Sequence, residues 1–175
     1  MKKSDLLSII RLVPLLCLAL IFSLVGCAGT DKKNAKGSGY EDIYDSGALP
    51  ERDERVNPEA ADYRALAAYT IYFSTDSFTI DPSERGKVEK IANWMRSHPE
   101  DRIIVAGHCD SRGTTQYNLA LGERRALAIR EYMIGLGAPK KSIFTVSYGE
   151  ERPAVLGDNE SAWTKNRRAQ AGILK

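Results

Sequence analysis

Hydrophobic and polar positions divide the chain of 175 residues into three parts. The first part is apolar from Leu12 to Val25 apart from Ser23, and it follows a basic start at Lys2 and Lys3. The second part, up to about residue 66, is polar and acidic. The third part alternates short β-branched runs with stretches that are apolar at every third or fourth position, a pattern typical of an α/β domain.

The third part, residues 67–175, is predicted to form the folded domain. Four strands are predicted where β-branched and aromatic residues cluster, over residues 69–73, 102–106, 143–148 and 167–174. A first helix is predicted from Asp81 to about His98, a second from Leu119 to about Gly135, and a short helical turn at Trp163. This β-α-β-α-β-β order indicates an α/β sandwich, with the helices on one face of a small mixed sheet.

The apolar run near the start is too short to cross a membrane, because a span needs about 20 apolar residues. A basic start followed by such a run is typical of a secretory signal peptide, which we assign to residues 1–26. Its end, Leu24-Val25-Gly26-Cys27, resembles the lipobox of bacterial lipoproteins, which implies cleavage before Cys27 and acylation of that residue. Ala28, in place of Asp, implies the outer membrane. The alternative is an uncleaved membrane anchor with an incidental cysteine.

Residues 27–66 are predicted to be a flexible tether between the acylated Cys27 and the domain. Residues 41–62 hold eight acidic residues against two basic ones, with few apolar residues between them. So little apolar surface does not offset the entropy lost on ordering. The alternative is an acidic solvated loop with a little helix near residues 59–68.

Charge argues against a nucleic-acid binder, and cysteine content argues against a domain held together by disulfides. The formal net charge of +2 is carried by residues 1–26, so the remaining residues sum to zero, which argues against a nucleic-acid binder. Cys17 leaves with the signal peptide and Cys27 carries lipid, so Cys109 is alone and no intramolecular disulfide is expected.

Neither an enzyme nor a metal site is expected. His108-Cys109-Asp110 contains the residue types of a thiol catalyst, but neighbours on an extended chain point to opposite faces. His98, His108 and Cys109 show no paired spacing of metal ligands, and the chain holds no nucleotide-binding glycine motif. We therefore expect no metal and no cofactor.

The segment after the second predicted strand carries the most specific pattern in the chain. The segment contains three blocks of residues: Asp110-x-Arg112-Gly113-Thr114, Tyr117-Asn118 and Leu121-Gly122-Glu123-Arg124-Arg125-Ala126. Three more blocks follow later in the chain: Ser147-Tyr148-Gly149, Glu151-x-Pro153 and Asn166-Arg167-Arg168. In this order, behind a lipobox, they resemble the OmpA-like family of peptidoglycan-binding domains and, within it, the peptidoglycan-associated lipoproteins. Ser111 and the tail from Ala169 depart from the family pattern.

Asp110 and Arg125 suggest the chemistry of a binding site. One follows a strand and the other lies 15 residues later on the next helix, so a crossover brings the opposite charges to one rim of the sheet. An ammonium beside a carboxylate would satisfy both charges, and the side-chain end of meso-diaminopimelate in the peptidoglycan stem peptide offers that pair. The alternative is a structural ion pair.

The resemblance implies further site residues. It places Asp76 on the pocket lining, Arg112 and Asn118 at loop positions that contact the ligand, and Leu121 at an apolar contact. As alternatives, Asp76 is only a turn residue and Asn118 is the N-cap of the second helix.

The resemblance also implies a function and partners. It implies a non-enzymatic linker that is anchored in the outer membrane by lipid, with its domain in the periplasm bound to the wall. It further implies a Tol system, with TolB binding near the same pocket, and a role in envelope integrity and cell division. The alternative is a protein-interaction module whose main ligand is TolB rather than peptidoglycan.

Overall fold

The computed structural model describes residues 56–174. The predicted signal peptide, the lipid site at Cys27 and the tether up to residue 55 lie outside the described residues.

Within the described residues, a five-stranded mixed sheet forms the centre of the domain. Its strands are β1 Ala61–Asp62, β2 Ile71–Tyr72, β3 Arg102–His108, β4 Ile143–Gly149 and β5 Arg168–Leu174. The order is β1-β5-β3-β4, and β2 pairs with β5 as well. Strand β3 is parallel to β4 and antiparallel to β5, so the predicted mixed sheet is confirmed.

The described residues contain three α-helices: α1 Pro82–Ser97, α2 Thr115–Gly135 and α3 Glu160–Asn166. Asp81 caps α1 as predicted, since its side chain accepts from the backbone N–H of Ser83 at 2.9 Å. Helix α2 begins four residues before the predicted Leu119, because the Thr114 hydroxyl accepts from the N–H of Tyr117 and caps it there. Asn118 is therefore not the N-cap.

Helices α1 and α2 cover one face of the sheet, which confirms the predicted sandwich. Val88 and Ile91 of α1 and Ile129 of α2 are buried against Ile103 and Val105 of β3. The backbones of Gly107 of β3 and Gly122 of α2 lie so close together that a Cβ on Gly107 would be 1.8 Å from the Gly122 carbonyl oxygen. This contact sets the first half of α2 directly beside the end of β3.

The opposite face of the sheet is covered by residues that sequence analysis assigned to the tether. Val56, Ala61 and Tyr63 pack against an apolar cluster that includes Ile104, and β1 pairs with the end of β5. Leu66 is 1% exposed in the main core. The domain therefore includes residues 56–66, and its predicted start at residue 67 is too late, because a two-residue strand among acidic residues leaves no periodic signal.

In the described part of the chain, none of the helices combines the length and the apolar character that a membrane span requires.

Candidate ligand-binding site

The predicted site residues meet at one rim of the sheet, where β2 and β3 end and α2 begins. Asp110 follows β3 by two residues, and Arg112 lies further along the same loop. The Arg112 guanidinium reaches Thr75 in the loop after β2, and the Tyr117 hydroxyl on α2 lies 3.5 Å from Asp76 in that loop. Three separate segments of the chain thus form the rim.

Asp110 is buried at 6% exposure, and its carboxylate accepts four hydrogen bonds. Arg112 donates three of them, from its backbone N at 3.2 Å, from Nε at 3.3 Å and from Nη2 at 2.7 Å. Arg167 donates the fourth from Nη1 at 3.2 Å. Burial alone would raise the pKa of the Asp110 carboxyl, but the hydrogen bonds from the two arginines lower it below its ordinary value.

Arg125 is fully buried, and its guanidinium holds the surrounding backbone together. Its acceptors are three backbone carbonyl oxygens and one thiol: Ser77 at 2.8 Å, His108 at 2.8 Å, Ser74 at 3.2 Å and Cys109 Sγ at 3.4 Å. Burial lowers the pKa of Arg125, and the nearby Cys109 and Asp110 oppose that shift. The guanidinium also lies over the Phe73 ring, 5.2 Å from its centroid.

The structure places Asp110 and Arg125 at the same rim but does not pair them. The ion pairs of Asp110 within residues 56–174 are with Arg112 and Arg167. The alternative that Asp110 and Arg125 form a structural ion pair is therefore wrong. The two charges are instead linked through the backbone of His108 and Cys109, which both lie next to Arg125.

Asn118 holds the loop between β3 and α2 in place. Its side-chain amide donates to the carbonyl oxygens of Asp110 at 3.3 Å and Arg112 at 2.9 Å, and to the Glu150 carboxylate at 2.6 Å. Asn118 therefore fixes the backbone of Asp110 and Arg112, two of the charged residues at the rim. Leu121 is buried one turn further along α2, and its role as an apolar ligand contact stays a prediction.

Asp76 is exposed and has a left-handed backbone, with φ of +51°. An L-residue other than glycine is strained in this region, although aspartate tolerates it better than most. The turn therefore directs an acidic side chain to the rim beside Tyr117. Its role as a ligand contact stays a prediction.

Arg167 also lies at the rim, although the sequence pattern did not identify it as a site residue. Its Nε donates to the Phe73 carbonyl oxygen at 3.1 Å, and its Nη2 donates to Glu160 at 3.0 Å and to Thr164 at 3.1 Å. The Asn166-Arg167-Arg168 block marked the position, but the sequence does not say which of two adjacent arginines faces the rim.

The thiol and the imidazole at the end of β3 do not form a catalytic pair. Cys109 is buried and donates to the Asn118 carbonyl oxygen, and burial raises the pKa of its thiol to about 11. The His108 side chain lies on the opposite face of the sheet, with its ring 5.5 Å from that of Tyr148. Among residues 56–174, no group of three or more His, Cys, Asp or Glu side chains is arranged to hold a metal ion.

The rim carries charges of both signs. The guanidiniums of Arg112, Arg125 and Arg167 lie among the carboxylates of Asp76, Asp110 and Glu150, and Glu160 pairs with Arg167 beside them. A ligand that carries an ammonium next to a carboxylate is complementary to such a rim.

Comparison with known proteins gives one consistent family. The sequence model of the OmpA family matches residues 72–167. The chain is 34% identical to the peptidoglycan-associated lipoprotein of Rhizobium meliloti (strain 1021), over 95% of this chain and 90% of the relative. It is 43% identical to the protein of the same name from Pasteurella multocida (strain Pm70), over 57% of this chain and 67% of the relative.

Solved structures show the same fold. The crystal structure of the peptidoglycan-associated lipoprotein from Burkholderia pseudomallei matches with a TM-score of 0.58 and 38% identity, over 59% of this chain and 88% of that chain. The C-terminal domain of Helicobacter pylori MotB matches with a TM-score of 0.57 and 22% identity, over 61% of this chain and 84% of that chain. The MotB likeness concerns the fold alone.

Proposed function

The chain belongs to the OmpA family and, within it, to the peptidoglycan-associated lipoproteins, and we propose that its domain binds peptidoglycan through the diaminopimelate of the stem peptide. This family consists of structural proteins, and the chain is not an enzyme. The free end of the diaminopimelate side chain carries an ammonium and a carboxylate on one carbon. Each of these groups finds an opposite charge at the rim.

The observation that carries the proposal is the separation of Asp110 from Arg125 at one rim without an ion pair between them. Asp110 accepts from the ligand ammonium. Arg125 uses four of its five N–H donors on protein acceptors, and we assign the remaining N–H, on Nη2, to the ligand carboxylate. Because the side chain is fully buried, the rim has to open for the ligand to reach this donor. Charge-assisted hydrogen bonds contribute roughly 1.5–3 kcal/mol each, so a few of them give micromolar affinity.

The other predicted site residues complete the pocket. Asp76 adds a second carboxylate near the ligand ammonium, and Leu121 offers an apolar contact to the methylene chain. Asn118 and the loop that carries Arg112 shape the entrance. Together with Asp110 and Arg125, these are the peptidoglycan-binding residues of the proposal.

The lipid anchor compensates for a modest affinity of the domain for peptidoglycan. After removal of residues 1–26, acylated Cys27 lies in the periplasmic leaflet of the outer membrane, and the polar tether connects it to the domain. The tether keeps the domain near the wall, so the effective concentration of the ligand is high. The chain then links the outer membrane to the wall without a covalent bond.

A role in a Tol system forms part of the proposal. TolB is the expected partner near the same pocket, so that it competes with peptidoglycan, with consequences for envelope integrity and cell division. The exposed Tyr117 and Leu119, at the start of α2, support a protein contact beside the rim. A module that binds mainly TolB is the second candidate function.

Pull-down on purified peptidoglycan tests the proposal. The wild-type domain is expected to sediment with the wall, and Asp110→Asn is expected to stay mostly in the supernatant. Glu89→Gln makes the same change of charge on the exposed surface of α1 and is expected to behave as wild type. Undiminished sedimentation of Asp110→Asn would contradict the site, and no sedimentation of the wild type would favour the TolB module.

A further inference from the structure

Donors of the protein itself occupy both oxygens of the Asp110 carboxylate. Oδ1 accepts from the backbone N and the Nε of Arg112, and Oδ2 accepts from Nη2 of Arg112 and Nη1 of Arg167. A carboxylate offers about four acceptor positions, so an incoming ammonium finds each of them taken. A ligand cation therefore needs one of these donors to leave.

The two arginines differ in how firmly they are held. Arg167 is buried, and three of its other four N–H donors are bound to Phe73, Glu160 and Thr164 on two other segments. Its release would take a buried guanidinium away from the Asp110 carboxylate and from the Phe73 carbonyl oxygen, which is costly. Arg167 therefore stays on Asp110 when a ligand binds.

Arg112 is the donor that is able to leave. Its side chain is 39% exposed, and its only other hydrogen bond within residues 56–174 is a long one of 3.4 Å to Thr75. Its guanidinium also lies 4.2 Å from the centroid of the Trp163 ring. After leaving Asp110, the Arg112 guanidinium stays against the Trp163 ring and in solvent, so its charge is not buried without a partner.

We propose that Arg112 is a displaceable internal cation, which occupies the ammonium position on Asp110 until a ligand ammonium replaces it. This inference rests on the proposed function, because it concerns the same site. Arg112 then lowers the affinity for any ligand that brings an ammonium, because that ammonium has to displace it from Asp110. A ligand that brings a carboxylate alone leaves Arg112 in place.

The test measures the affinity of two tripeptides for the wild-type chain and for Arg112→Gln. One is L-alanyl-γ-D-glutamyl-meso-diaminopimelate, and the other has aminopimelate at the last position, which keeps the terminal carboxylate and lacks its ammonium. Arg112→Gln is expected to bind the diaminopimelate peptide about three- to tenfold more tightly, since the half-exposed Arg112 guanidinium no longer competes with the ligand for Asp110. Its affinity for the aminopimelate peptide is expected to stay as in wild type.

Arg152→Gln is the matched control. Arg152 is also exposed, pairs with an acid (Glu59) and lies over an aromatic ring, 3.8 Å from the centroid of Tyr148. It does not contact Asp110, so its removal is expected to leave both affinities unchanged. In an Asp110→Asn background, Arg112→Gln is expected to have no further effect.

A second measurement follows the displacement directly in the wild-type chain. On addition of the diaminopimelate peptide, the NMR signal of Arg112 Nε–H is expected to shift and to exchange faster with water. The Arg167 Nε–H signal, from the donor to Phe73, is expected to keep its protection.

Three results would overturn the inference while leaving the proposed function intact. They are weaker or equal binding of the diaminopimelate peptide by Arg112→Gln, an equal gain for both peptides, and an Arg112 Nε–H signal that stays protected in the complex. Absence of binding by the wild-type chain is a different outcome. It would overturn the proposed function and this inference with it.

Discussion

The Arg125 guanidinium donates to the backbone carbonyl oxygen of His108, with Nη1 and the oxygen 2.8 Å apart. His108 is the last residue of β3, and Asp110 follows it by two positions. The bond therefore fixes α2 to the end of the strand that presents Asp110. The two opposite charges of the proposed site are thus fixed near each other through the backbone and do not pair with each other.

Arg125→Met tests how much this buried guanidinium stabilises the fold. The substitution keeps most of the volume but removes the donors to three carbonyl oxygens, that of the buried His108 among them, so the free energy of unfolding is expected to fall by about 3 kcal/mol or more. Urea unfolding measures the change. Arg85→Met, on the exposed surface of α1, is the control and is expected to stay within about 0.5 kcal/mol of wild type. Equal losses for the two variants would contradict a structural role for Arg125.

His108 is expected to make the domain sensitive to acid. Burial, together with Arg168 and Arg152 nearby, lowers the pKa of its imidazole from 6.5 to about 3. The folded state therefore binds fewer protons than the unfolded chain, and stability is lost as the pH falls from about 6.5 towards 3. Between about pH 7 and pH 4.5, His108→Gln is expected to lose about 2 kcal/mol less stability than wild type. The same pH dependence in both chains would show that His108 is not responsible.

Gly107→Ala tests the contact that sets α2 against β3. A methyl group would overlap with the Gly122 carbonyl oxygen, at 1.8 Å, and the backbone of two packed elements cannot move cheaply. The free energy of unfolding is expected to fall by about 3 kcal/mol or more. Gly86→Ala is the matched control, because a Cβ there meets nothing within 4 Å in α1, and it is expected to raise stability by about 1 kcal/mol. A tolerated Gly107→Ala would contradict the close packing.

Two shortened chains that begin at different residues test where the domain starts. A chain that begins at residue 56 keeps β1, Tyr63 and the buried Leu66, whereas one that begins at residue 67 loses all three. Thermal unfolding is expected to show a clearly lower midpoint for the shorter chain, because burying a leucine side chain alone contributes about 1.5–3 kcal/mol. Equal midpoints of thermal unfolding would show that residues 56–66 do not stabilise the domain and belong to the tether.

Two substitutions of Asp76 distinguish the effect of backbone strain on stability from the effect of the carboxylate on wall binding. Asp76→Asn keeps a side chain that tolerates positive φ, so stability is expected to stay within about 0.5 kcal/mol of wild type while wall binding falls. Asp76→Ala is expected to lose about 1 kcal/mol of stability as well, because alanine is strained at φ of +51°. Peptidoglycan pull-down and urea unfolding measure the two effects. Full wall binding by Asp76→Asn would remove Asp76 from the site.

Periodicity predicted the parts of the fold that bury one regular face. The strands around Ile103 and Val146 and the helix that begins after Asp81 follow directly from apolar spacing, because burial on one face imposes that spacing. Helix α2 begins earlier than predicted because its first turn is polar and is set by the Thr114 cap. The β1 segment was missed because it joins the sheet through backbone pairing at only two residues.

Four charged residues of the rim, Asp76, Asp110, Arg112 and Arg125, were predicted one by one, but their partners were not, and Arg167 was missed. Asp110 and Arg125 stood out in the family pattern, yet the sequence does not reveal that Arg125 is buried among carbonyl oxygens. Arg112 and Arg167 pair with Asp110 through tertiary contacts, and Arg167 lies 57 residues away along the chain. Such contacts depend on how three loops meet at the rim, which no local pattern encodes.

The most direct test of the account is a titration of the domain with stem tripeptides that differ only in the last residue. The diaminopimelate peptide carries both charges at its free end, the lysine peptide only the ammonium, and the aminopimelate peptide only the carboxylate. The diaminopimelate peptide is expected to bind at least about tenfold more tightly than either of the others, because each lost charge removes a charge-assisted contact. Its NMR shifts are expected at residues 74–76, 110–118 and 121–125. Equal affinity for the three peptides, or shifts confined to other parts of the domain, would contradict recognition of a paired ammonium and carboxylate at this rim.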